Sequence, residues 1–146
     1  MNIQRSMEAN YRIAILLMLI FTLAGCGGKG RVEDDQQTEK GVVELSPEEF
    51  KSKLSSTPDA VLIDVRKPEE VEEGIIEGAV SIDYTDSSFS EKIAELDKLK
   101  PYFIYCKSGK RSGDAAAEMK KVGFENIIVL KGGYKDWLED DAKLNQ

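Results

Sequence analysis

An α/β fold, about five mainly parallel strands with helices on both faces of the sheet, is what this 146-residue chain predicts. Three observations point there. Short apolar runs alternate with segments of helical period from residue 41 onward, no two-residue hairpin turn joins any two runs, and several helices announce their starts with capping residues. Parallel strands need crossover connections, so the alternation and the missing hairpins describe one topology.

The elements follow in order. Gly41 to Leu45 is a short strand. Ser46-Pro47-Glu48-Glu49 starts a helix, with Ser46 as N-cap, Pro47 at the first position and Glu49 closing a capping box. Phe50 and Leu54 face inward at i, i+4, and the helix ends before Pro58. Residues 60–65 are apolar without a break until Asp64, as in a parallel strand buried on both faces. An acidic helix runs from Pro68 to about Glu73, where Gly74 stops it. Ala79 to Ile82 is a strand, and Ser90 to Leu99 a helix with Ile93 and Leu96 inward. Tyr102 to Tyr105 is the next strand, reached through Pro101. Residues 111–122 form a helix with Ala115, Met119 and Val122 on one stripe. Asp114 in its first turn and Lys120 and Lys121 in its last complement the macrodipole, and Gly123 is a natural residue to end it. Ile127 to Leu130 is the last strand, and Gly132-Gly133 opens a final helix bearing Tyr134 and Trp137.

The first forty residues have another character. A weakly basic start with Arg5 and Arg12 precedes an apolar run from Ile13 to Leu23, about half of the roughly 20 residues a membrane-spanning helix requires. That is the form of a secretory signal. Leu23-Ala24-Gly25-Cys26 resembles the lipobox of bacterial lipoprotein precursors. The resemblance implies that residues 1–25 are removed and that Cys26 is acylated, anchoring the protein in the cell envelope. Gly27 after the cysteine leans toward an outer membrane where the organism has one. Residues 26–40 hold one large apolar residue, Val32, and are expected to be a tether spanning roughly 20 Å. Residues 41–146 are the folded domain.

The whole chain has 20 basic and 27 acidic residues and a net charge of −7; without Arg5, Arg12 and Glu8 the balance is −8. Such a balance argues against nucleic acid and against electrostatic adhesion to anionic lipid, which leaves the acyl chains to hold the protein at a membrane. If Cys26 is alkylated, Cys106 is the only free thiol and no internal disulfide can form. A lone thiol in an oxidising compartment is either buried or used.

Cys106-Lys107-Ser108-Gly109-Lys110-Arg111-Ser112 runs from a strand end into a helix start. A cysteine there meets the unpaired N–H groups and positive dipole end of the helix, a Gly-containing loop whose amides can form an anion nest, and three cations. All favour the thiolate, which is the nucleophile. Open sheets of this kind bind ligands off the carboxyl ends of their strands, and Asp64 and Cys106 both lie at such ends.

With these residues in view, Ala60 to Trp137 resembles the rhodanese-like domain, the fold of sulfurtransferases that carry sulfur as a cysteine persulfide. Asp64-Val65-Arg66 with Pro68-Glu69-Glu70 and Gly78-Ala79 is similar to the family's first signature, Cys106 to Ser112 to its active-site loop, and Gly132-Gly133 with Trp137 to its closing motif. The resemblance implies that Cys106 accepts a sulfane sulfur from a small anionic donor such as thiosulfate and passes it to cyanide or a thiol. It implies that the amides of Lys107, Ser108, Gly109, Lys110 and Arg111 cradle the persulfide and the incoming anion. Asp64 and Arg66 would support the site or form a plain structural ion pair. Tyr134 and Trp137 belong to the packing, and no cofactor or metal is implied. The family usually shows Gly-His-Ile-Pro-Gly-Ala, where this chain has Gly74-Ile75-Ile76-Glu77-Gly78-Ala79. Ile75 and Glu77 thus put local packing and partner contact in question, and with no histidine in the chain no imidazole can activate Cys106.

The rivals are a cysteine phosphatase and a non-catalytic binding module. The phosphatase signature is Cys-x5-Arg, whereas Arg111 gives Cys-x4-Arg and position 112 is Ser. A binding module would typically lack the cysteine. A P-loop fails because Ile104 stands where its first glycine is needed. Zinc fails for want of ligands, with one free cysteine and no histidine.

Overall fold

In the computed structural model the described residues are 41–144; the Cys26 motif, the signal segment and the tether lie outside them. Those residues hold five strands, β1 (Gly41–Leu45), β2 (Val61–Asp64), β3 (Val80–Ser81), β4 (Pro101–Tyr105) and β5 (Asn126–Leu130), and five helices, α1 (Pro47–Ser55), α2 (Pro68–Val71), α3 (Phe89–Ala94), α4 (Lys110–Lys121) and α5 (Gly133–Leu144). The strands form one sheet in the order β1-β5-β4-β2-β3, and every neighbouring pair is parallel. The expected α/β class therefore holds.

The apolar runs of β2, β4 and β5 occupy the middle of the sheet, where both faces are covered. Alternation then sends Ile63, Tyr102, Ile104, Ile127 and Val129 to one face, against Ile93 of α3 and Ala115 and Met119 of α4. Leu62, Phe103, Tyr105, Ile128 and Leu130 go to the other, against Phe50 of α1 and Trp137 of α5. Phe50 meets Phe103 edge-on with centroids 5.1 Å apart and Trp137 at 6.2 Å. At the start of α1 the capping box closes as anticipated: the Glu49 amide donates to Ser46 Oγ at 3.4 Å and the Ser46 amide to Glu49 Oε2 at 3.0 Å.

Differences lie at element ends. The helix expected over residues 90–99 starts at Phe89 and stops at Ala94. Beyond it Asp97 makes its own turn, its Oδ1 accepting from the Leu99 amide while Tyr102 Oη donates to its carbonyl. Leu99 is 72% exposed, and Leu96 is half-buried against the core. Val122 leaves its stripe and is 42% exposed, because the chain turns at Gly123 and Phe124 takes the inward place, its ring 5.0 Å from that of Tyr102. β3 has only two residues, both exposed, since Asp83 caps a turn immediately beyond by accepting from the Thr85 amide.

Candidate active site

β4 is the central strand, and the chain leaves its carboxyl end directly into the cysteine loop. Cys106 is fully buried; Lys107 and Ser108 are exposed. Gly109 is the N-cap of α4 with φ of 90°, a left-handed conformation that glycine adopts without strain. The loop is held from behind by the start of α5. The Tyr134 amide donates to the Cys106 carbonyl at 2.7 Å and the Lys135 amide to the Lys107 carbonyl at 3.1 Å. Such close approach needs Gly133, where a Cβ would run into the Cys106 carbonyl oxygen and the Lys107–Ser108 backbone.

The sulfur points into the loop. The Gly109 amide lies 3.2 Å from Sγ and Ser112 Oγ 3.5 Å from it. Burial pushes the thiol up, but hydrogen bonds from the Ser112 hydroxyl and from the Ser112, Ser108 and Gly109 amides outweigh it, and the thiol lies below its ordinary value. Of the five residues assigned to the cradle from sequence, Ser108 and Gly109 bring their amides to bear on the sulfur, and Ser112 joins them. Lys107 is exposed; Lys110 Nζ pairs with Asp114 at 2.9 Å. Arg111 directs both terminal nitrogens at one carboxylate, Nη1 to Glu70 Oε2 at 2.6 Å and Nη2 to Oε1 at 2.8 Å. That pair holds the Glu70 carboxyl at about 2.

Asp64 and Arg66 form a buried pair that also builds the neighbouring loop. Arg66 Nε lies 3.0 and 2.9 Å from the two Asp64 oxygens, and Nη2 lies 2.6 Å from Oδ2. Its remaining donors reach the carbonyls of Glu70 at 2.9 Å and Gly74 at 2.6 Å. The Tyr134 ring covers the guanidinium at 4.1 Å. Asp64 and Arg66 are thus a structural ion pair, and the pair places the segment that carries Glu70. Trp137 packs on Phe50 and Lys51, away from the sulfur. Ile75 is 41% exposed and Glu77 is exposed, while Ile76 turns inward and its amide donates to Tyr105 Oη at 3.1 Å. The departures from the family pattern therefore lie on the surface.

Ser112 and Glu70 are given no role on the sulfur or its loop in the site as read from sequence. Ser112 appears there as the end of the active-site loop and as the residue that breaks a Cys-x5-Arg spacing, and Glu70 as part of the first signature.

The sheet order and the buried thiol at the end of its central strand define an α/β domain that presents a cysteine inside a loop of hydrogen-bond donors. The chain belongs to the rhodanese-like domain family, whose model matches residues 46–140. It is 35% identical over 105 residues to the putative sulfur carrier protein YrkF of Bacillus subtilis, covering 72% of this chain and 56% of that protein. It is 38% identical over 96 residues to the putative sulfurtransferase YtwF of Bacillus subtilis, covering 66% of this chain and 90% of that one. Among solved structures, a rhodanese-related protein from Thermoplasma volcanium matches with a TM-score of 0.59 at 26% identity, over 67% of this chain and 92% of the other. The chain spans little more than half the length of the first of these relatives and most of the other two.

Proposed function

We propose that the protein is a sulfurtransferase that carries sulfane sulfur as a persulfide on Cys106. The observation that carries this reading is the Cys106 sulfur itself, buried at the end of β4 with the Gly109 amide and the Ser112 hydroxyl on it and its thiol below the ordinary value. With thiosulfate as donor, the thiolate bonds to the outer sulfur, the donor's S–S bond breaks, and sulfite leaves with the electron pair. An acceptor thiolate or cyanide then attacks the persulfide's outer sulfur and the Cys106 thiolate departs. The two steps balance without an external oxidant or reductant. The loop's N–H groups stabilise sulfur anions in both, and no imidazole is needed.

The test is intact mass. Incubation with thiosulfate is expected to add one sulfur atom, removable by cyanide or a dithiol, and Cys106→Ser is expected to lose both adduct and turnover while remaining folded. Undiminished transfer by that variant would sink the proposal. The Leu23-Ala24-Gly25-Cys26 motif further supports an envelope-anchored form of the enzyme, held by acyl chains on Cys26.

A further inference from the structure

Three cations flank Cys106 in the sequence, and acidic side chains answer two of them. The Lys110–Asp114 pair is exposed, 83% and 49% for the two side chains, and solvent screens it. The Arg111–Glu70 pair is of another kind. It is bidentate, its side chains are 24% and 18% exposed, and it joins the helix that starts at the cysteine loop to α2, 41 positions earlier in the chain. Glu70 is fixed at both ends: its carbonyl accepts from Arg66 Nη1 at 2.9 Å, and its Oε2 accepts from the Lys67 amide at 3.2 Å. Behind it stands the buried Asp64–Arg66 pair. An oxyanion arriving at the loop therefore finds the Arg111 fork filled and a fixed carboxylate beside it. The loop amides and the exposed Lys107 are what remain to receive it.

We propose that Glu70 is a specificity-determining residue: by occupying the Arg111 fork it lowers the loop's affinity for dianions such as thiosulfate relative to singly charged or neutral donors such as alkyl persulfides. The inference rests on the sulfurtransferase reading of Cys106. With an alkyl persulfide, R–S–SH, the Cys106 thiolate bonds to the outer sulfur, the S–S bond breaks, and RS⁻ leaves with the electron pair, so nothing in the step calls on the Arg111 fork. Thiosulfate expels sulfite, an oxyanion that the fork would otherwise bind.

The probe is inorganic sulfate, read as protection of Cys106 against iodoacetamide at constant ionic strength. Glu70→Gln keeps the hydrogen-bonding length, removes the charge, and is expected to tighten sulfate about tenfold by releasing a charge-assisted fork. Glu70→Asp, which keeps the charge but reaches less far, is expected to fall between the two and serves should the Gln variant not fold. In Glu70→Gln/Arg111→Ala the gain is expected to vanish. In turnover, the ratio of kcat/KM for thiosulfate to that for 2-hydroxyethyl persulfide is expected to rise about tenfold in Glu70→Gln. A Glu70 that served stability alone would instead lower both donors together. Sulfate binding that is unchanged or weaker in Glu70→Gln, or a gain that persists without Arg111, overturns the inference. Failure of the wild type to use any donor would overturn the sulfurtransferase reading, while the protection constants would still decide whether Glu70 governs anion access.

Discussion

Ser112 has one hydroxyl proton and two acceptors in reach, Cys106 Sγ at 3.5 Å and the Gly109 carbonyl at 3.0 Å. When Cys106 ionises, the charged acceptor takes the proton's bond, and the hydroxyl becomes part of what holds the thiolate. Ser112→Ala is therefore expected to raise the Cys106 pKa by about one unit. Lys107→Ala, at an exposed and solvent-screened position, is expected to move it by only a few tenths. The pH dependence of alkylation measures both, and a shift of two units or more from Lys107→Ala would make side-chain charge the main source of activation. Cys106 and its basic neighbours were legible because Lys107, Lys110 and Arg111 all fall within five positions of a lone thiol. Ser112 was not, because its role depends on the turn of α4 that swings its side chain back over the loop, a matter of helix phase. Glu70 was hidden for a different reason. It reads as one acid in an acidic run, and nothing local marks the single carboxylate that a residue 41 positions away will grip.

α2 buries no residue of its own, and polar contacts tie it down between the buried Val65 and Ile76. Arg66 supplies them, tying the Glu70 and Gly74 carbonyls to Asp64 at the end of β2. Asp64→Asn would leave a guanidinium 2% exposed without its countercharge, and is expected to cost about 3–5 kcal/mol, read as a lowered urea midpoint. A loss under about 1 kcal/mol would mean that the carbonyls alone suffice to hold Arg66. The central strands were legible for the opposite reason, since unbroken apolar runs such as Phe103-Ile104-Tyr105 have no stable place except between two covered faces. What escaped was where elements stop. Leu99 closes its expected helix and Val122 fits its stripe by spacing, yet Asp97 makes a turn before Leu99 and the chain turns away at Gly123 just after Val122. At such ends, side-chain hydrogen bonds and left-handed glycine decide, and hydrophobic period is silent.

The molecule as a whole is acidic, with a net charge of −7, around a loop whose own cations are largely paired. For the envelope-anchored form we propose, repulsion from anionic lipid headgroups would leave covalent acylation of Cys26 as the means of attachment. Cys26→Ser is expected to block incorporation of a labelled fatty acid and to move the protein from the membrane to the soluble fraction. A wild type found wholly soluble, with Cys26 a free thiol, would end the anchor reading. The pairing of β1 with β5 bears on how such a chain is made. Among the described residues β1 comes first and has one neighbour in the sheet, β5 (Asn126–Leu130), the last of the five strands to follow. A polypeptide threaded through a translocation pore from its N-terminus thus cannot complete its sheet while residues up to Leu130 are still inside. If the proposed signal sends this chain through such a pore, the β1–β5 pairing could close only after Leu130 had emerged.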